Sequence, residues 1–153
     1  ISILVQQGEM KEQEREAFLR EFKEEPEETR VGFCVLGGIF SEGIDLTGDR
    51  LIGAVIIGVG LPKLCLERNI IKDYFQKEKG RGYEFSYLYP GMNKVLQGVG
   101  RIIRTEKDRG AALLIDDRFL TPVYQSLMPP EWKNQKVVRD REELRMELKE
   151  FWK

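Results

Sequence analysis

The 153-residue chain contains no histidine and only two cysteines. Without histidine, imidazole acid–base catalysis and histidine-ligated metals are excluded. A structural zinc site needs about four Cys or His ligands, and a cysteine-held iron–sulfur cluster about four thiolates. Cys34 and Cys65 stand far apart and can build neither. The missing disulfide framework points to a reducing, cytoplasmic setting, and Cys34, inside an apolar run, reads as a small core residue. Long apolar runs are also lacking, and nothing approaches the roughly 20 residues that span a membrane. Residues 1–5 are apolar but too few for a signal segment, and no basic stretch precedes them. The chain opens on Ile rather than Met, which suits a piece of a longer polypeptide or a processed one. Nor is there an excess of charge of one sign: 25 Lys and Arg face 26 Asp and Glu, for a net −1. Any affinity for nucleic acid must then come from a local patch.

What is present is an ordinary globular composition, 41% hydrophobic, at a length that fits one domain. Four short apolar runs, at 1–6, 31–36, 54–59 and 111–115, are near-continuous, as in strands buried on both faces of a parallel sheet. Helical signals fill the intervals. Residues 9–23 are highly charged with Phe18, Leu19 and Phe22 on one face; 64–77 carry Ile70, Ile71, Tyr74 and Phe75; a third helix is expected from about Met92 to Ile103. This alternation predicts βαβ units in a three-layer α/β fold with a mostly parallel sheet. Pro26 breaks the first helix, Gly80-Arg81-Gly82 reads as a flexible basic connector, and 139–153 form an amphipathic terminal helix with Leu144, Leu148 and Phe151 on one side.

Chemistry concentrates in two segments. In Gln97-Gly-Val-Gly-Arg-Ile-Ile-Arg104, a continuous helix would place Gln97, Arg101 and Arg104 on one face at i, i+4 and i+7. Gly98 and Gly100 each cost a helix about 1 kcal/mol relative to Ala, so the backbone there is expected to lie close to something. Val95, Val99, Ile102 and Ile103 would bury the other side. Two guanidinium forks suit bidentate contact with phosphate oxygens, although arginines in such a pattern also pair with surface acids. Upstream, Gly37-Gly-Ile-Phe-Ser-Glu-Gly-Ile-Asp-Leu-Thr-Gly48 directly follows a strand run. Ligands of α/β sheets gather beyond strand carboxyl ends, where a glycine-rich turn offers backbone N–H groups to phosphate or sugar. An ordinary turn would use the same residues. A third element, Val55-Ile-Ile-Gly-Val-Gly-Leu-Pro62, lacks the third glycine and helix start of a dinucleotide fingerprint.

Taken in order, these segments resemble the second motor domain of superfamily 2 helicases, in the DinG/XPD family. Phe40-Ser-Glu-Gly-Ile-Asp45 is similar to that family's motif V, and Gln97-x-x-Gly-Arg-x-x-Arg104 to its motif VI. DEAD-box and DEAH-type RNA helicases carry glycine just before the second arginine, where this chain has Ile103. Gly60-Leu-Pro62 and Leu114-Ile-Asp-Asp-Arg-Phe119 extend the likeness. The resemblance implies a RecA-like domain in which Arg101 and Arg104 reach the γ-phosphate of ATP and Gln97 and Gly100 help to place the nucleotide. Gly43 and Asp45 would lie near the nucleotide, Ser41 and Glu42 towards single-stranded DNA, and Asp116 would orient a motif VI arginine. The phosphate-cradling GxxxxGK[ST] loop and a DEAH-like acidic motif for Mg²⁺ are absent from the sequence. The family keeps both in a first motor domain, where many members also hold an iron–sulfur cluster. The chain is thus expected to be one domain, with no membrane segment, partnered by single-stranded DNA and by the first RecA-like domain of the same protein. Its setting would be cytoplasmic, at the nucleoid in a bacterium or archaeon. An RNA helicase, a helicase–nuclease and an inactive RecA-like scaffold remain as alternatives.

Overall fold

The computed structural model describes residues 1–40, 46–103, 106 and 108–153. Their contacts divide the chain into two compact units, Ile1–Phe119 and Leu120–Lys153.

The first unit contains four short strands, all paired parallel. β1 (Ser2–Val5) lies beside β2 (Arg30–Phe33), with Ile3 opposite Val31 and Val5 opposite Phe33. β3 (Gly53–Ile57) lies beside β4 (Ala111–Ile115), with Val55 opposite Leu113 and Ile57 opposite Ile115. The parallel pairing follows the sequence expectation, but as two two-stranded ladders rather than one sheet among the described residues. Each ladder is closed by helical crossovers. α1 (Glu12–Arg20) joins β1 to β2, while α2 (Leu66–Lys79) and α3 (Tyr89–Val99) lie between β3 and β4.

The strands were expected to be buried on both faces, and this is corrected by the exposure of one face of each ladder. Ile3, Val5, Val31 and Phe33 are exposed along one face of the first ladder; Val55, Ile57 and Ile115 are exposed along the second. The reason lies in where the helices go. α1 sets Phe18 and Phe22 against Gly32 of β2, where an added Cβ would meet their rings at 3.3 and 2.9 Å. α3 sets Gly98 against Ile56 of β3, at 3.2 Å from such a Cβ. α2 turns away to a π-helical turn (Glu84–Leu88) that leads directly into α3. There Phe75 stacks on Phe85 with centroids 4.4 Å apart, and the Tyr87 hydroxyl donates to Asn69 Oδ1 at 3.1 Å. Cys34, expected in the core, is exposed, one residue past the end of β2.

Gly80-Arg81-Gly82 is a helix cap rather than a flexible connector. Gly80 takes φ +66 at the end of α2 and its N–H donates to Gln76 O, the left-handed ending that glycine favours. Gly82 donates to Gln76 Oε1 at 3.1 Å and presses so closely on Lys72 O that a side chain has no room.

The core centres on α3, where Met92 and Val95 are fully enclosed with Val59 of the loop after β3. Each such side chain contributes roughly 1.5–3 kcal/mol on leaving water. The second unit holds α4 (Pro122–Gln125), a 3₁₀ turn (Pro130–Asn134) and α5 (Arg141–Phe151). Asp140 caps α5 by accepting from the N–H groups of Glu142 and Glu143 at 2.8 and 2.9 Å, which satisfies donors that a helix start leaves open. Across the described residues no helix is long and apolar enough to cross a membrane.

Candidate functional site

α3 carries the segment with the densest chemical signal, and its position is set by glycines. Gly60, at φ +65 in the loop after β3, lies so near Gly91 that an added Cβ would meet Gly91 O at 2.9 Å. A Cβ on Gly91 would in turn meet Val59 O at 2.8 Å. The first turn of α3 therefore rests directly on backbone at the carboxyl end of β3. Its other end descends to the amino ends of the strands, where Ile102 is 3% exposed and packs on Gly110, just ahead of β4.

The expected helix over 92–103 is corrected at both ends. It begins at Tyr89, with Pro90 in its first turn, and ends at Val99 with Gly100 as its cap. Arg101 and Ile102 follow in a tighter turn, donating to Gly98 O at 3.3 Å and Val99 O at 3.0 Å. Two glycines within three residues weaken the last turn enough to stop the helix there. Gln97 is thus helical and exposed, whereas Arg101 is half-buried just beyond the end. Arg101 is itself engaged in a polar or electrostatic interaction. Gly98 faces Ile56 and Leu36, so the close approach that it permits is to the sheet. Val95 and Ile102 are buried as expected, but Ile103 is 49% exposed. Arg104 lies outside the described residues.

The glycine-rich loop after β2 starts where the sequence places it. The Val35 N–H donates to Gln6 Oε1 at 2.9 Å, tying the chain after β2 to that after β1. Gly38 N–H then closes a turn on Val35 O at 2.8 Å. Ser41, Glu42, Gly43 and Asp45 lie outside the described residues, but both flanks are anchored. Phe40 is buried and stacks on Phe18 at 4.5 Å; Leu46 is 5% exposed.

Two contacts bracket this loop against α3 and the chain that follows. Lys94 lies against Gly37, where an added Cβ would fall 2.7 Å from its Cδ and Cε. The Gly48 N–H donates to Asp108 Oδ1 at 3.3 Å. Neither Lys94 nor Asp108 belongs to a motif, and no spacing in the sequence announces them. After β4, Asp116 engages Arg118 with both oxygens, at 2.9 Å to Nε and 2.8 Å to Nη2. Asp116 is the residue expected to orient a motif VI arginine; Arg104 lies outside the described residues. Among the described residues no group of three or more acidic or thiol side chains could hold a metal ion.

Residues 1–135 match the helicase C-terminal domain family. The chain belongs to that family. Its relatives include an ATP-dependent DNA helicase DinG of Photobacterium profundum, 31% identical over 74% of this chain and 16% of the relative. A probable ATP-dependent helicase of Methanocaldococcus jannaschii is 31% identical over 62% of this chain and 17% of its own length. A regulator of telomere elongation helicase homologue of Oryza sativa subsp. japonica is 35% identical over 64% and 11%. This helicase C-terminal domain accordingly falls in the DinG/XPD family of superfamily 2, and it spans less than a fifth of the length of these relatives.

Proposed function

We propose that the chain is the second motor domain of an ATP-dependent DNA helicase that translocates on single-stranded DNA. In this reading Arg101 and Arg104 are arginine fingers on the γ-phosphate of ATP, and Gln97 and Gly100 position the nucleotide. Gly43 and Asp45 act near the nucleotide, and Ser41 and Glu42 contact the strand. A supplied arginine stabilises charge as phosphoryl transfer proceeds, with rate factors on the order of 10³–10⁵ in related systems. The phosphate-cradling loop and the Mg²⁺ ligands belong to a first RecA-like domain, and an iron–sulfur cluster, where one exists, belongs there too. A DNA substrate implies the cytoplasm or nucleoid.

The observation that most supports this reading is the double bracket of the 37–48 loop. Lys94 touches its start at the carboxyl ends of the strands, and Asp108 touches its finish near the amino ends. The two described flanks of this segment thus touch residues on either side of Arg101, one at each end of the strands.

Hydrolysis by the intact protein, measured with single-stranded DNA, single-stranded RNA or no nucleic acid, tests the reading. DNA is expected to stimulate turnover. Stimulation by RNA alone would favour an RNA helicase, and absence of hydrolysis under all three conditions an inactive scaffold. The isolated 153-residue chain is expected to show no ATP turnover above background; DNA-stimulated turnover by it would contradict the shared-site reading.

A further inference from the structure

We propose that Lys94 is a strand-positioning residue, whose ammonium holds a backbone phosphate of bound single-stranded DNA at the carboxyl ends of β2 and β3. This rests on the helicase reading above and assigns a residue that lies outside both motifs.

The side chain is seated by two glycines. A Cβ on Gly37 would fall 2.7 Å from Lys94 Cδ and Cε and 3.2 Å from Nζ; one on Gly60 would fall 3.5 Å from Lys94 Cβ. Both glycines have positive φ, +80 and +65, a backbone region that side chains disfavour. The chain thus keeps a notch open at two strand ends, and the lysine stem lies in it. Packing the stem while the charged end reaches water is how lysine covers apolar surface. It also reduces the rotamer freedom that a contact would otherwise have to overcome.

The charge has somewhere to act. Lys94 forms no ion pair with another described residue. Ligands of α/β folds collect at the carboxyl ends of strands, and an ammonium is a compact donor for a phosphate oxygen. Arg101 lies seven positions further along, beyond the end of α3 at Val99 and towards the amino ends. The two cations therefore serve different phosphates. Lys94 faces the strand, and Arg101 the nucleotide.

The test is the salt dependence of single-stranded DNA binding by the intact protein, using a labelled oligothymidylate. Lys94→Met keeps the stem and removes the charge; Lys94→Gln is a second neutral variant should the first fold poorly. Both are expected to flatten the slope of log K against log salt by about 0.7, the share of one single-strand phosphate. Binding at 0.1 M salt should weaken about fivefold by the same relation, with KM for ATP unchanged, and Lys94→Arg should restore the slope. An unaltered slope in the neutral variants overturns the proposal. So does a raised KM for ATP with the slope intact, which would place the phosphate on the nucleotide. If the wild-type protein binds no single strand, the helicase reading itself fails, and this inference fails with it.

Discussion

Asp116 and Arg118 illustrate what a single residue pair can and cannot reveal in advance. Both appear in the Asp-Asp-Arg-Phe ending that closes β4, but only the folded chain shows the acid turned onto its near neighbour. The Arg118 guanidinium holds the Asp116 carboxyl below the usual carboxylate range, chiefly through the side-chain hydrogen bond and against some desolvation. A lowered folded-state value means that the pair adds stability above the unfolded pKa of about 3.9 and loses it as pH falls through the folded value. Arg118→Ala is therefore expected to destabilise at pH 7 by less than about 1 kcal/mol, since the arginine is half exposed to screening solvent. Paired denaturation curves at pH 7 and pH 3 check this. The difference between variant and wild type should shrink at the lower pH; a constant difference would show that packing, not charge, is involved. The other candidate residues were read as types and spacings. Gln97 and Arg101 stand out because amide and guanidinium groups flank glycines, whereas Lys94 and Asp108 are ordinary surface letters until the chain is folded.

At the scale of elements, α3 separates what local rules determine from what packing decides. The segment is rich enough in apolar residues at helical spacing for its existence to be read directly. Its boundaries were not, because Pro90 in the first turn opens the helix earlier and Gly98 with Gly100 closes it before Arg101. The strands were legible from their apolar runs, but their open faces were not, since periodicity cannot say that α2 packs on the π-helical turn. Gly91 offers a sharp test of packing against propensity. In an exposed helix, Gly→Ala stabilises by about 1 kcal/mol. Here the added methyl would meet Val59 O at 2.8 Å, and backbone cannot step aside as a side-chain tip can. Gly91→Ala is expected to destabilise by about 1–3 kcal/mol, the usual range for overpacking, read as a lower denaturation midpoint. A higher midpoint would mean that α3 does not rest on the β3 loop as described.

At the scale of the whole molecule, the proposal is that this helicase C-terminal domain is one half of a shared device. The sequence has no histidine, no thiolate cluster and no GxxxxGK[ST] loop. In the proposed reading, groups of the 37–48 segment and of the α3 region recognise phosphate. The family assignment was legible from these motifs because their chemistry constrains residue type and order together. The division into two contact units was not, because nothing in the run from Phe119 to Leu120 marks a boundary. The central claim is that Arg101 supplies charge to an ATP site completed by another domain. The most direct measurement is Arg101→Ala in the intact protein, with DNA-stimulated hydrolysis and ATP affinity determined on the same sample. The account predicts a fall in kcat of about 10³-fold or more, with the fold intact and ATP still bound. Turnover near the wild-type rate would contradict it.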